Sequence, residues 1–590
     1  MRKRFKGLSL LLTISAMAAS LTACGLGTGG NTDNTVINLL SADETYEKDE
    51  AGNGFAFEDM DTLYSDDGAV KVLYMTVGKG TSAEGTNYTW KDLDDASVDW
   101  FKKNNVQQYK CEAIVQFGNE DGPILGQYGY GLTASNATVK LNGTKASTRP
   151  QKNYKIDLKK GAGNLDGMKS FVLNKSFADP YRFTNKLAFD LMTDIPEMLS
   201  TRTSFVHLYV KDVTESKDTK FVDYGLYTMI EPVNKKYLKN RNLDDNAELY
   251  QIRNFDWAKH EDVIMQPTNA DFDNDRFEEL IESKGSNDYS KLLATISAVN
   301  NENIAISNVV DMYFDKDSLY SWMAFNILMD NAATDTENYY ICSPTGTDKF
   351  YFIAWDNDGA LRDEYEKIKD PDYEPDWEKG MFLFTDSVLF RRILQDETCL
   401  SDLNEKIDEL YEGALSPSSV SKRANRLSSQ VKKYLYSLPD RTFARVTKEN
   451  YDQLVASIGD QIETNYYSYY ESIDTPWPFH ITGVDGTNGN AVISWEPSQI
   501  IGGQVTYKVE IDNAWDFSRP FVTETEITAT SFTMQNLQPG QYFVRVSAVS
   551  GLGNEQLAME YYNTEKKTTA RGVMCFYVME DGTVAMSVFE

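Results

Sequence analysis

Short strand-like runs rich in apolar, β-branched and aromatic residues occur at 70–75, 113–117, 137–141, 155–158 and 170–173. Further along the chain these runs give way to helical spacing. Apolar residues recur at intervals of three and four over 182–192, 317–330, 386–394, 400–414, 416–436 and 448–469, which predicts helices. Ser416 and Pro417 suit the N-cap and first helical position of the fifth of these. Strands in front and helices behind predict an α+β domain. After the Asp-Thr-Pro-Trp-Pro run at 474–478 the texture changes. Short alternating segments at 491–495, 505–511 and 542–546 predict a separate all-β sandwich.

Composition narrows the chemistry. With 590 residues there is room for several folding units. The 89 Asp+Glu outnumber the 58 Lys+Arg, a net charge of −31 that argues against nucleic acid as a partner. The only histidines, His207, His260 and His480, are far apart in sequence, which disfavours a His-based zinc site or a Ser-His-Asp triad. Chemistry, if present, falls to carboxylates.

The first residues point to a compartment. Arg2, Lys3, Arg4 and Lys6 precede an apolar, small-residue stretch over 8–21, too short to span a bilayer comfortably. Leu21-Thr22-Ala23-Cys24 resembles the lipobox of bacterial lipoproteins. The resemblance implies a signal peptide at 1–23, acylation of Cys24 and a lipid anchor on the extracytoplasmic face of the bacterial cell membrane, because several acyl chains hold a protein where one holds it only marginally. A plain cleaved signal with a chance cysteine is the alternative. Without residues 1–23 the 58 basic groups become 54 against 89 acids, a net −35. Residues 24–68 read as an acidic flexible tether. Cys111, Cys342, Cys399 and Cys575 show no CxxC spacing and read as unpaired buried thiols.

Three segments carry candidate chemistry. One is basic, from Lys145 through Arg149 and Lys152 to Lys155; one runs from Tyr224 through Glu231 to Arg241. The third begins at Asp330, passes Asp335 and Asn338, and ends in Trp355-Asp356-Asn357-Asp358-Gly359. It reads as a helix end, an Asn/Asp-rich loop, a strand pair (338–342 and 349–355) and carboxylates where the second strand stops. Such carboxylates and amides are hard oxygen ligands suited to Mg²⁺, which substrate phosphates commonly complete, and the upstream lysines could meet those phosphates. Equally, Asp356 and Asp358 could only shape a turn, and the basic run could be a solvated strand face. Alternation places Lys152 and Lys155 on opposite faces.

These segments, in this order, resemble the spore-coat CotH kinase family over about residues 70–470. The resemblance rests on Arg149-Pro-Gln-Lys152-Asn-Tyr-Lys155, Gly225-Leu-Tyr-Thr-Met-Ile-Glu231, Asn338-Tyr-Tyr and Trp355-Asp-Asn-Asp358. Phe171-Val-Leu-Asn174, Asp179, Asn185-Lys-Leu and Leu389-Phe-Arg-Arg-Ile-Leu394 add to it. It implies an atypical protein-kinase-like two-lobed domain at 69–470, with ATP and Mg²⁺ as cofactors and positioning and charge neutralisation as the means of catalysis. By position it makes Asp356 the main metal carboxylate, Asn338 the second ligand and Asp358 an assistant. Lys152 becomes the first phosphate contact with Lys155 or Arg149 in reserve, and Glu231 a residue at the inter-lobe linker near the adenine. The family's catalytic loop commonly has an aspartate five residues before the Asn of Asn-Tyr-Tyr, where this chain has Ala333. That leaves Asp335 or Asp330 as a relocated base. Asn142 and Gln251 also depart from the family's Arg and Lys.

The segment 537–542, ending in Tyr542, resembles the tyrosine corner of fibronectin type III domains, and Trp495 stands where those domains place a core tryptophan. The resemblance implies such a domain at 476–570 of immunoglobulin-like sandwich form, with a C-terminal strand extension at 571–590. Three functions follow. The first is a membrane-anchored kinase that phosphorylates surface or spore-coat proteins; the second is a pseudokinase that binds nucleotide or a protein partner; the third is a surface adhesion or scaffold lipoprotein.

Overall fold

The computed structural model describes residues 63–64, 68–217, 219–332, 334–371, 373, 377, 379–564 and 568–586. The expectations for the leader, for Cys24, for nearly all of the tether and for Ala333 lie outside them.

The front of the chain forms strands β1 (Lys71–Gly78), β2 (Cys111–Asn119), β3 (Gly122–Pro123), β4 (Ala137–Asn142), β5 (Asn153–Leu158), β6 (Ser170–Asn174), β7 (Thr203–Asp212) and β8 (Val222–Ile230). They pair in the order β1-β7-β8-β6-β5-β4-β2-β3, and β1 also pairs with β2. The sheet therefore closes on itself as a seven-stranded ring, with β3 outside it. Closure removes free edges and encloses a core to which alternate residues contribute, among them Leu73, Met75, Val115, Val139, Ile156, Leu208 and Met229. The strand-like runs visible in the sequence supply the inward face of this barrel.

The back is helical. The helix Lys316–Met329 is buried along its whole length from Ser318 to Met329, because other helices surround it. Beside it lies a four-stranded sheet of β9 (Glu248–Ile252), β10 (Ile281–Ser283), β11 (Tyr339–Ser343) and β12 (Tyr351–Ala354), in the order β10-β9-β11-β12. The helix expected over 448–469 is two, Lys448–Ala456 and Ile458–Ile473, which meet at Ser457. Gly459 packs there against the Pro417 carbonyl, where an added Cβ would come within 3.0 Å of it.

Past residue 474 a second core forms around Trp495, Tyr507 and Tyr542. The Tyr542 hydroxyl donates back to the Gln538 carbonyl at 2.8 Å, the corner expected from the sequence. Strand Val573–Val578 pairs with Gly540–Ser550, and Val584–Met586 joins it to Ile481–Thr487, so the sandwich continues to the end of the described chain. All four later cysteines are free and buried.

Candidate functional site

The register of the small sheet builds the site. Tyr339 pairs with Ala354, so Asn338 enters β11 at the same end where Trp355 and Asp356 leave β12. Asp330 caps the buried helix at this end with left-handed backbone, φ 47° and ψ 54°. Asn338 (φ 67°), Asp356 (φ 55°) and Leu361 (φ 56°) are left-handed too. Asn and Asp tolerate that region and Leu does not, so the strain here is concentrated at Leu361. Its backbone N–H donates to the Met329 carbonyl at 3.1 Å, tying the strained turn to the helix end.

A chain of amides holds the turn 357–359 from behind. Asn185, on the helix Thr184–Met192, accepts from the Asn357 backbone N–H at 3.2 Å. The Asn331 amide donates to Asn326 Oδ1 at 2.9 Å and to Asn357 Oδ1 at 3.4 Å. Asp179 accepts from Thr184 N–H, Thr184 Oγ1 and Tyr181 N–H, and burial pushes its carboxyl up to about 6. Asp179, Asn185 and the Asp356 turn are thus one constellation, although 171 residues separate Asn185 and Asp356 in number.

Asp356 is exposed to solvent, yet desolvation is the largest cause of its raised pKa. Its carboxylate is thus reachable by water while many protein atoms stand around it. The charges of Asp358 and Glu337 raise it further, while Lys145 and Arg362 oppose them. Asp358 is raised too, first by burial, with Arg362 and Lys145 again opposing. Two carboxylates forced together and short of positive charge are what a divalent cation relieves. Asn331 adds an oxygen. Its side chain is 1 % exposed and its Oδ1 has no hydrogen-bond partner, an orphaned acceptor beside Gly359. Among the described residues no three His, Cys, Asp or Glu side chains converge as a metal cage. One or two carboxylates, an amide oxygen and substrate phosphates are nonetheless a coordination set that suits Mg²⁺, so these residues fit the ion.

The basic residues divide by location. Lys152 is buried, its ammonium donating to the Ser147 carbonyl at 2.6 Å. It therefore braces the turn Ala146–Thr148 with one of its three N–H groups. The charge of Lys145, just before that turn, is felt at both carboxylates. Sequence reasoning passed Lys145 over for the strand lysines, although Asn142-Gly143 marks a turn that could carry it towards the carboxylates. Lys155 stands opposite Lys140 on β4. Lys284 is near them, pushed down to about 8 by burial, Arg253 and Lys155, yet it is ion-paired with Glu282, and Lys155 with Asp157 at 3.8 Å. Arg362, Glu337 and Asn331 stand beside the carboxylates, and strand and motif reading did not select them. Arg149 is exposed and packs over Phe177, 5.9 Å from its ring centroid.

The remaining expected residues are committed to other partners. Asp330 forms an ion pair with Lys379, which also holds Asp363 at 2.9 Å. Asp335 is buried and accepts the Asp386 backbone N–H at 3.2 Å. Glu231 accepts from Arg202, Asn240 and Arg241. Burial alone would raise its pKa, but Arg241 and Arg202 outweigh that and bring it down to about 2. It pins the barrel's exit to the helix Lys235–Asn240, and neither oxygen is left for an adenine.

A barrel joined to a helical body, with paired carboxylates on a small sheet that feel the charge of Lys145 from the barrel, defines a kinase-like protein of α+β class. Residues 139–469 match the family model "CotH kinase protein", and residues 474–561 match the fibronectin type III domain. The first match spans more than half of the chain, which therefore belongs to the CotH kinase family. Among solved structures, the proinflammatory kinase CtkA of Helicobacter pylori is similar at 9% identity, covering 54% of this chain and 94% of that one, with a TM-score of 0.26. A HipA, HipB and operator DNA complex of Shewanella oneidensis MR-1 is similar at 12% identity, covering 58% and 65%, with a TM-score of 0.20. No curated protein matches the chain.

Proposed function

We propose that the site at Asp356 binds Mg-ATP and passes the γ-phosphoryl group to a hydroxyl of a protein acceptor. The observation that carries this reading is the Asp356–Asp358 pair, raised in pKa, with the charge of Lys145 felt at both. Asp356, Asp358 and the Asn331 oxygen would hold Mg²⁺, which when bound neutralises phosphate charge. Lys145 and Arg362 supply positive charge beside the carboxylates, where triphosphate charge needs it. Asn338 enters the same end of the sheet and can orient these ligands. The acceptor oxygen forms the new bond to phosphorus as the bond to ADP breaks. Asp330 can take the hydroxyl proton only by giving up its ion pair with Lys379.

That commitment, with Asp335 held by the Asp386 backbone, favours a second reading in which nucleotide binds without turnover. One comparison separates the two. The chain is assayed for Mg-ATP binding and for γ-phosphate transfer, beside Asp356→Ala and Ala333→Asp. Transfer that Asp356→Ala abolishes supports the kinase; binding without transfer, with transfer gained in Ala333→Asp, supports the pseudokinase. Absence of Mg-ATP binding removes both and leaves the adhesion or scaffold reading.

The proposal includes a place in the cell. The Leu21-Thr-Ala-Cys24 motif supports an acylated Cys24 that anchors the protein on the outer face of a bacterial membrane, with surface or spore-coat proteins as acceptors. Among the described residues no helix is long and apolar enough to cross a membrane. Mass spectrometry of the membrane-extracted N-terminus tests the anchor; an unacylated N-terminus that lacks Cys24 removes it.

A further inference from the structure

The loop between β6 and the helix Thr184–Met192 carries Phe177, and three guanidiniums surround its ring. Arg149, Arg182 and Arg445 lie with Cζ 5.9, 5.5 and 5.2 Å from the centroid. Arg182 is buried and donates to the carbonyls of Lys175 (3.0 Å), Ser176 (3.3 Å) and Phe443 (3.0 Å) and to Gln151 Oε1 (3.4 Å). It joins the Phe177 loop to the 443–445 segment and so makes one rigid platform from parts 268 residues apart. Arg445 Nε donates to the Phe177 carbonyl at 3.3 Å. Arg149 and Arg445 are exposed.

Among the described residues none of these three arginines makes an ion pair with a carboxylate. In a chain with 89 acidic residues against 58 basic ones, that leaves the exposed Arg149 and Arg445 without a carboxylate partner, while buried Arg182 feels the charges of Asp440 and Asp179. By contrast the neighbouring Lys175 is paired with Asp440 at 2.7 Å. The patch also adjoins the candidate site. Arg149 closes the turn that follows Lys145, and Phe177 stands two residues before Asp179, whose carboxyl feels the charge of Asp358.

An exposed guanidinium beside an aromatic ring can offer its outer N–H groups to a carboxylate fork, and two of them with an aromatic between suit an extended acidic peptide. We infer that the Arg149–Phe177–Arg445 surface docks an acidic segment of the protein acceptor, with Asp or Glu residues near the hydroxyl to be modified. The inference rests on the kinase reading for its purpose but not for its test. Rim charges of this kind act mainly on encounter and selection of partner.

The test uses the full chain without nucleotide and fluorescent peptides that carry one Ser flanked by Glu, by Gln or by Lys. Anisotropy should show the Glu peptide binding, more weakly as salt rises. Arg149→Glu with Arg445→Glu should weaken it by about 10-fold or more, and the paired Gln substitutions should fall between, which separates charge from fold. Mg-ATP affinity, measured separately, should not change. Equal binding of the Glu and Lys peptides, no binding of any peptide, or full retention of the Glu peptide by the double reversal overturns the inference. Loss of Mg-ATP affinity with peptide binding intact reassigns the arginines to nucleotide. A chain that binds the Glu peptide but not Mg-ATP keeps the docking surface and loses the kinase reading, so the two failures are distinct.

Discussion

Glu231 and Asp356 stand in similar places and are treated in opposite ways. Each lies just past the end of a strand, Glu231 after β8 and Asp356 two residues after β12. Glu231 is surrounded by two guanidiniums and an amide that use both of its oxygens, and its pKa falls to about 2. Asp356 faces two other acidic groups with only Lys145 and Arg362 opposing, and its pKa rises. The same functional group is a staple where its charge is matched and, in the proposed function, a metal ligand where it is not. Satisfaction of charge, more than residue type or motif position, separates structure from chemistry in this fold.

Four experiments test the contrast. The largest effect belongs to the staple. Glu231→Ala leaves Arg202 and Arg241 without their counter-charge in the interior, and urea denaturation should show a loss of about 3–5 kcal/mol. A variant of native stability would show that the network is not structural.

The pH dependence of the same residue comes next. Glu231 has a folded pKa depressed from 4.5 to about 2, so the unfolded chain binds the proton more tightly. Its contribution, about 3 kcal/mol, is fully present above pH 4.5 and is lost as pH falls towards 2. The stability gap between the native chain and Glu231→Gln should therefore narrow over that window. A gap independent of pH there breaks the assignment.

Asp356→Ala should act on ligand and not on fold. Isothermal titration should show Mg-ATP affinity reduced by about 100-fold or more, beyond the 10–100-fold typical of residues behind a metal's ligands. Thermal stability without nucleotide should change little, because relief of like-charge repulsion offsets the cost of about 1 kcal/mol for alanine at φ 55°. A marked loss of apo stability would instead make Asp356 a turn former.

The smallest effect separates two lysines. Lys145→Met should lower Mg-ATP affinity by about 10-fold with stability unchanged, whereas Lys152→Met should cost about 1–2 kcal/mol of stability through its lost hydrogen bond. The reverse outcome would assign Lys152 to the phosphate.

Much of this was legible beforehand, and the reason is local pattern. Strands at 137–141 and 170–173, the helix ending near Asp330 and the Tyr542 corner all follow from local residue type and spacing, and the structure has each of them. Helices such as Lys235–Asn240, Asn274–Leu280 and Ser290–Val299 escaped, being short or weakly patterned. Closure of the barrel escaped as well, because the β1–β2 pairing joins strands whose own sequences say nothing of their neighbours.

The sequence by itself determined the α+β order, the family and the carboxylates that belong together, because hydrophobic periods and ordered motifs are local properties. Tertiary structure alone decided which charges are left unmatched. Glu231 and Lys152 look as available in sequence as Asp356 and Lys145. Only packing gives the first two their partners and leaves the others exposed, since desolvation and pairing depend on neighbours brought from hundreds of residues away.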